Sequence, residues 1–197
     1  MRSFLLLLCL VCSVISFSQE QIAEELPYYE IPEYPETYTA GTVAARMVDG
    51  LGFRYYWATE GLREEDLAFK PNEDARTTAE TIDHIYGLTN VIKNATLKQP
   101  TIGGQAQPEP TFEEKRKKTL ENIKIAADIL RTSEDLTELN MIFKNSNGST
   151  YEYPFWNEIN GPIADAIWHC GQVVLLRRSS GNPFNPKVSV LEGKVRQ

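Results

Sequence analysis

The chain has 197 residues, of which 42% are hydrophobic and 24% are charged. This length and this balance fit one globular domain with a sizeable core. The formal net charge is −7, and no basic run is longer than residues 115–118, Lys-Arg-Lys-Lys. The composition therefore argues against nucleic acid as the main partner.

The first 18 residues have the pattern of a secretory signal peptide. Arg2 supplies a short positive region, residues 5–15 form an apolar core, and Ser16 and Ser18 are the small residues expected at positions −3 and −1. This pattern predicts cleavage before Gln19 and export to the periplasm or the medium. Because the apolar run is shorter than the roughly 20 residues of a spanning helix, we expect no membrane attachment after cleavage.

Cleavage at this point would leave a single cysteine in the mature chain. Cys9 and Cys12 lie in the signal peptide, so Cys170 remains alone and no internal disulfide can form. An exported protein without disulfides depends on its core for stability. Cys170 adjoins His169, and two interpretations stay open: a small buried apolar residue, which is the commoner case, or a reactive thiol beside a metal.

The mature chain opens with a leader, residues 19–41, that is rich in Glu, Pro and Tyr. Its prolines exclude a regular helix. We interpret the leader as an extended arm that lies on the domain through its tyrosines. A disordered leader fits the same composition.

Three segments in the first two thirds of the chain carry apolar residues at helical spacing. The first spans about residues 42–61. The second begins at Thr77 and the third at Thr111, and each start has a capping-box pattern, with Glu80 and Glu114 three residues further on. The spacing therefore predicts three amphipathic helices joined by loops.

The last third of the chain predicts a hairpin and a fourth helix. Residues 137–156 contain two β-rich runs around an Asn-Ser-Asn-Gly turn sequence, which indicates a small β-hairpin or an extended excursion. Asn160 is a suitable cap for the fourth helix, with Pro162 in its first turn. The helix ends at the Ser-Gly-Asn-Pro sequence of residues 180–183, and we expect an irregular tail over residues 183–197.

Together these segments predict an all-α protein. Four helices in residues 42–182 fit a four-helix bundle, with a long excursion between the third and fourth helices. Bundles of this kind place polar side chains from facing helices inside the core, where they can bind metals.

The candidate site comes from two of these helices. Asp165 and His169 lie four residues apart on the fourth helix and so share one face, with Gln172 three residues further on. The only other histidine, His84, lies on the second helix, one turn after Glu80. A metal site formed by these helices is one interpretation, and a pair of ordinary core histidines is the other.

Three stretches resemble one known family. Residues 67–71, residues 78–85 and above all residues 163–178 are similar to the DinB-like (YfiT-like) superfamily of four-helix-bundle metalloproteins. The Asp-x-x-x-His-Cys-Gly-Gln segment of the fourth helix resembles that family's H-x-x-x-H-x-G-Q helix. The likeness covers roughly residues 42–182.

The resemblance implies a set of metal ligands. One histidine from the second helix and two from the fourth bind a divalent metal in that family, and by position these correspond to His84, Asp165 and His169. Asp165 departs from the usual histidine, which either changes the metal preference or marks a member without metal. Gln172 and Glu80 would support the ligands from the second shell, and zinc, nickel, manganese and iron(II) all suit such donors.

Two functions of different classes fit these expectations. The first is a metal-dependent enzyme, a hydrolase or a transferase, acting on a small-molecule substrate. Thiol transfer is implied by the resemblance alone. The second is a non-catalytic bundle that binds a partner or forms a homodimer, and that has lost the metal or uses it structurally. The sequence indicates no separate nucleophile or general base.

Overall fold

A computed structural model describes residues 25–103 and 109–197. The predicted signal peptide, residues 1–18, and the start of the leader lie outside the described residues. Helices account for 54% of the structure, which confirms the expectation of a mainly helical chain. Within the described ranges, none of the helices combines the length and apolar character needed to cross a bilayer. The long helices are α1 (Ala40–Thr59), α3 (Thr78–Thr96), α4 (Phe112–Thr132) and α6 (Ala164–Ser179), and the short ones are α2 (Glu64–Ala68) and α5 (Phe155–Glu158).

The long helices bury their apolar stripes against one another. Helices α1 and α3 each pack against both α4 and α6. Full burial of a Val, Leu or Ile side chain contributes about 1.5–3 kcal/mol, so this shared core supplies the main stabilising term. All four helices contribute fully buried side chains, among them Val48, Leu51, Ile82, Ile85, Leu120, Ile123, Ala166 and Val173.

Threonine caps begin three of the long helices. At α3 the Thr77 hydroxyl accepts a hydrogen bond from the Glu80 N–H, and the Glu80 carboxylate accepts one from the Thr77 N–H. Thr111 and Glu114 form the same reciprocal pair at α4. These capping boxes confirm both predicted starts. Helix α1 begins after its own cap, Thr39, slightly earlier than the sequence predicted.

The predicted start of the fourth helix at Asn160 is wrong. The chain enters α6 through α5 and a π-helical segment, Ile159–Ile163, which includes Pro162. The Ala164 N–H, the first of α6, donates to the upstream carbonyls of Ile159 and Gly161, and α6 begins without a side-chain cap. Gly161 has the non-helical torsions φ −93° and ψ −108° at the kink inside this segment.

The excursion between α4 and α6 contains the predicted hairpin. Strand β2 (Met141–Lys144) pairs antiparallel with β3 (Thr150–Tyr153), and β1 (Thr101–Ile102) adds a short parallel strand to β2. Gly148 has a φ of +85° in the turn, a conformation that glycine adopts without the steric cost of a side chain. The fold is therefore helical with small strand pieces.

The C-terminal tail contains a second pair of short strands where the sequence predicted irregular chain. Strand β4 (Val188–Ser189) pairs antiparallel with β5 (Lys194–Val195). Between them the Gly193 carbonyl accepts a hydrogen bond of 2.9 Å from the Ile31 N–H. The leader and the tail of the described chain are therefore joined directly.

The rest of the described leader lies against α1. Tyr28 is buried and its hydroxyl donates to the Asp49 carboxylate, which also accepts two hydrogen bonds from Arg131. The indole N–H of Trp57 donates to the Tyr29 carbonyl over 3.1 Å. These contacts fix the leader across the α1–α4 side of the fold.

A buried arginine fixes the end of α6 on α1. The Arg177 side chain lies within the fold, and its Nη1 donates to the carbonyls of Trp57 and Ala58 at 3.1 and 3.0 Å. These carbonyls belong to the last turn of α1, where no intrahelical donor remains for them. The contact therefore fixes the position of the end of α6 relative to α1.

A buried carboxyl lies at the end of α5. Glu158 is completely buried, and neither of its carboxyl oxygens has a hydrogen-bond partner within the described residues. Burial raises the pKa of Glu158 from 4.5 to about 9, because an ionised carboxylate without partners is costly in an apolar surrounding. Glu158 is therefore uncharged in the folded protein at neutral pH.

We predict that Gly41→Ala destabilises the protein, because α1 and α4 approach each other there at backbone distance. A Cβ on Gly41 would lie 2.0 Å from the Ser133 carbonyl oxygen and 2.4 Å from that of Leu130. Relieving this overlap requires the helices to separate, at a cost of about 1–3 kcal/mol. Urea unfolding of the two proteins measures the difference.

The matched control is Gly87→Ala in the middle of α3, where a Cβ would meet nothing within 4 Å. This change should raise the free energy of unfolding by up to about 1 kcal/mol, since alanine is the better helix former. Equal effects of the two substitutions would contradict the close approach of α1 and α4.

We predict that Glu158→Gln removes a pH dependence of stability. Between the unfolded pKa and the raised folded pKa, the folded state holds a proton that the unfolded state has released, so the free energy of unfolding falls as the pH rises. From pH 4.5 to pH 7 this loss is on the order of 3 kcal/mol. Glutamine has no proton to release, so the stability of the variant relative to the parent should rise from pH 5 to pH 8 in urea unfolding. A constant difference between the two proteins would contradict the buried neutral carboxyl.

Candidate metal centre

Helices α3 and α6 bring together the three side chains that the sequence singled out. His84 lies in the second turn of α3, while Asp165 and His169 lie one turn apart at the start of α6. The Arg76 side chain, which precedes α3, contacts His169, whereas His84 contacts Asp165. The two helices therefore run in opposite directions where they meet.

The distances place the three residues in one cluster. His84 Nε2 lies 3.0 Å from Asp165 Oδ2, and His169 Nδ1 lies 3.2 Å from Asp165 Oδ1. The two imidazole rings meet edge to face, with their centroids 4.5 Å apart. One donor atom from each residue can be chosen so that all three lie within 4.8 Å of one another. The cluster has the composition and the spacing of a group that could hold a metal ion.

The hydrogen bonds of His169 assign its tautomer. Its Nδ1 lies 2.8 Å from the Asp165 carbonyl oxygen, which can only accept, so Nδ1 carries the proton. Its Nε2 then holds the lone pair, in agreement with the Arg76 Nη1 at 3.4 Å, which can only donate. Metal-binding histidines commonly donate one ring N–H to a carbonyl in this way, leaving the other nitrogen for the metal.

The fit to one ion requires the side chains to move closer together. Two donors that each lie roughly 2.0–2.2 Å from an ion are about 3.4 Å apart in tetrahedral geometry. The 3.0 Å separation of His84 Nε2 and Asp165 Oδ2 is already close to that value. A largest separation of 4.8 Å exceeds it, so closure needs a rotation of the side chains. The side chains of His84 and Asp165 are about one-third exposed and so are not locked by packing.

Exposure differs across the cluster. The His169 side chain is 10% exposed, against 35% for His84 and 31% for Asp165. One side of the cluster therefore faces the interior and the other faces solvent. Catalytic metal sites keep an open position of this kind, whereas structural sites are closed by four protein ligands.

Glu80 and Gln172, the two predicted supporting residues, lie on α3 and α6 respectively and differ in their contacts. The Glu80 carboxylate is engaged by Thr77, which donates its N–H at 2.7 Å and its hydroxyl at 3.1 Å, and these hydrogen bonds hold the pKa of Glu80 below its usual value. Gln172 is half-buried one turn beyond His169, and its side chain forms no hydrogen bond within residues 25–103 and 109–197. A supporting role for either residue stays a prediction.

Cys170 is buried, unlike the partly exposed side chains of His84 and Asp165. Its side chain is buried in the apolar core, and burial raises the pKa of the thiol to about 12. A thiol that stays protonated is a poor nucleophile and a poor metal ligand. The structure therefore favours the interpretation of Cys170 as a small core residue.

Sequence reasoning missed Arg76. It lies in the loop before α3, directly ahead of the cap Thr77, and its guanidinium reaches across to His169 on α6. No spacing rule connects a loop arginine to a histidine 93 positions away, so only the packed structure reveals the contact.

Comparison with known proteins gives no relative for this chain. No protein-family model, no curated protein and no solved structure matches it. The likeness to the DinB-like superfamily therefore depends on the motifs alone and stays a prediction.

We predict that the purified protein takes up about one divalent ion per chain, and that Asp165→Ala and His169→Ala abolish this uptake. Each substitution removes one of three donors and leaves too few to hold the ion. Elemental mass spectrometry after exposure to zinc, nickel, manganese or iron(II) and removal of the excess gives the stoichiometry.

The matched control is Asp74→Asn, which removes a carboxylate from the exposed loop before α3. This variant should keep the metal content of the parent. A parent without metal under all four conditions would leave His84 and His169 as ordinary hydrogen-bonded histidines.

Proposed function

We propose that the chain is an exported metal-dependent enzyme with the four-helix-bundle fold of the DinB-like superfamily. It binds one divalent ion through His84, Asp165 and His169 and acts as a hydrolase or a transferase on a small-molecule substrate. The observation that carries the proposal is that donor atoms of these residues lie within 4.8 Å of one another across two helices. The packing of α1 and α3 against both α4 and α6 supports the bundle.

The chemistry of the three donors suits the proposed ion. Two imidazoles and one carboxylate are borderline ligands that accept zinc, nickel, manganese or iron(II). A bound divalent ion supplies Lewis acidity, which polarises a substrate oxygen or activates water. Asp165 contributes the negative charge of the ligand set, and the Asp165 carbonyl orients His169 through its Nδ1–H.

Export is the second part of the proposal. It is supported by the positive Arg2, the apolar run of residues 5–15 and the small residues before Gln19. The mature chain then begins in the leader, upstream of the residues that lie against α1.

A non-catalytic binding role is the alternative, and one observation favours it. Two cavities of about 580 and 360 Å³ adjoin along the exposed side of α1, and neither is lined by a residue of the metal cluster. They share Tyr38, Val43 and Met47, and the largely exposed Trp156 lines the larger one. Aromatic and aliphatic surface of this kind is typical of binding sites, so the concave surface and the candidate chemistry lie in different places.

The test combines the processing of the N-terminus, the loading of the protein with metal and the measurement of catalytic turnover. The chain recovered from outside the cytoplasm should have the intact mass of a protein that begins at Gln19. Loaded with each of the four metals, it is assayed for hydrolysis of ester, amide and phosphoester substrates and for thiol transfer. We expect turnover that His84→Ala abolishes and Asp74→Asn preserves. Full metal loading without turnover in any assay would favour the binding role instead.

A further inference from the structure

The guanidinium of Arg76 contacts the metal cluster at His169. Its Nη1 lies 3.4 Å from His169 Nε2, the ring nitrogen that holds the lone pair. A cation that donates to this lone pair approaches it from the direction that a metal ion would use. The guanidinium and the ion therefore compete for His169 Nε2.

Arg76 has few other ties. Its side chain is exposed and forms no ion pair within the described residues. The Glu80 carboxylate on the adjoining helix interacts with the charge of Arg76, but its hydrogen bonds are to Thr77. The guanidinium can therefore rotate away from His169. Because the arginine side chain is long, the guanidinium still remains beside the cluster after this rotation.

With a divalent ion bound, the net charge of the cluster favours binding of an anion beside Arg76. With Asp165 as the only charged ligand, a divalent ion leaves the cluster with one net positive charge, and Arg76 adds a second. The side chains of His84 and Asp165 leave the cluster open to solvent on one side. A guanidinium presents several N–H donors in a planar fork that matches the two oxygens of a carboxylate or a phosphate.

We propose that Arg76 is a ligand-binding residue with two states. Without metal it donates to His169 Nε2 and lowers the affinity for the ion. With metal bound it turns toward the open side and binds an oxoanion, a carboxylate or a phosphate group, that also contacts the ion. This proposal rests on the proposed metal site and adds the chemical class of its ligand.

The test uses Arg76→Ala and Arg76→Gln in the full mature chain, with Arg178→Ala as the control. Arg178 is exposed on α6, and its side chain has no hydrogen bond or ion pair within the described residues. Circular dichroism melting verifies that each variant is folded, and the exposed position of Arg76 makes a folding defect unexpected. Calorimetric titration with manganese gives the metal affinity, and titration of the loaded proteins with inorganic phosphate and with acetate gives the anion affinity.

We expect both Arg76 variants to bind manganese about three- to tenfold more tightly than the parent, since a competing cation is gone. Their manganese-loaded forms should bind phosphate and acetate about tenfold more weakly, since a charge-assisted hydrogen bond is lost. The Arg178 variant should match the parent in both titrations.

The outcomes separate the two proposals. A parent that binds no manganese or other divalent ion would overturn the metal site itself, and the role of Arg76 with it. A parent that binds metal, with unchanged metal and anion affinities in both Arg76 variants, would overturn the role of Arg76 alone. Tighter metal binding with unchanged anion affinity would overturn the oxoanion ligand and leave the competition. A preference for phosphate over acetate, or the reverse, identifies the ligand group.

Discussion

The hydrogen bond between His84 and Asp165 joins α3 to α6 at the point where these helices run past each other in opposite directions. The candidate chemistry depends on this crossing, because His84 lies on α3 whereas Asp165 and His169 lie on α6. The crossing is held from outside the cluster: apolar side chains of both helices fill the core, and Arg177 fixes the far end of α6 on α1. The cluster lies at the rim of this core, with its outer side chains partly in water. The packing of the helices therefore holds the three donors near each other.

Periodic patterns allowed the helical part of the structure to be predicted. Apolar spacing located the long helices, and the capping boxes at Thr77 and Thr111 located two of their starts, because a cap is a contact between residues three positions apart. The shared face of Asp165 and His169 follows from helix geometry in the same way. The prediction that His84 lies near Asp165 and His169 came from the family resemblance and from the way helical bundles place polar side chains in their core. No local rule relates residues on two different helices.

The features that could not be predicted depend on how distant segments meet. Asn160 has the chemistry of a cap, but the first N–H of α6, that of Ala164, donates to the carbonyls of Ile159 and Gly161, so no side-chain cap is required there. The pairing of β4 with β5 joins runs of two residues, which are too short to show a period. Arg76 reaches His169 only because the loop before α3 lies beside α6. Buried Glu158 could not be recognised either, because a glutamate at a helix end is usually solvated.

The link between Ile31 and Gly193 has a consequence for the order in which the protein can form. During synthesis Ile31 leaves the ribosome before the four long helices, whereas its partner Gly193 follows them. The long helices can assemble while this partner is still missing, but the leader cannot complete its contacts until Gly193 has been made. Closing such a long loop costs only slightly more than closing a short one, because the entropic cost rises with the logarithm of loop length. The first part of the described chain to be made is therefore among the last to be fixed, and its docking reports that the segment around Gly193 is in place.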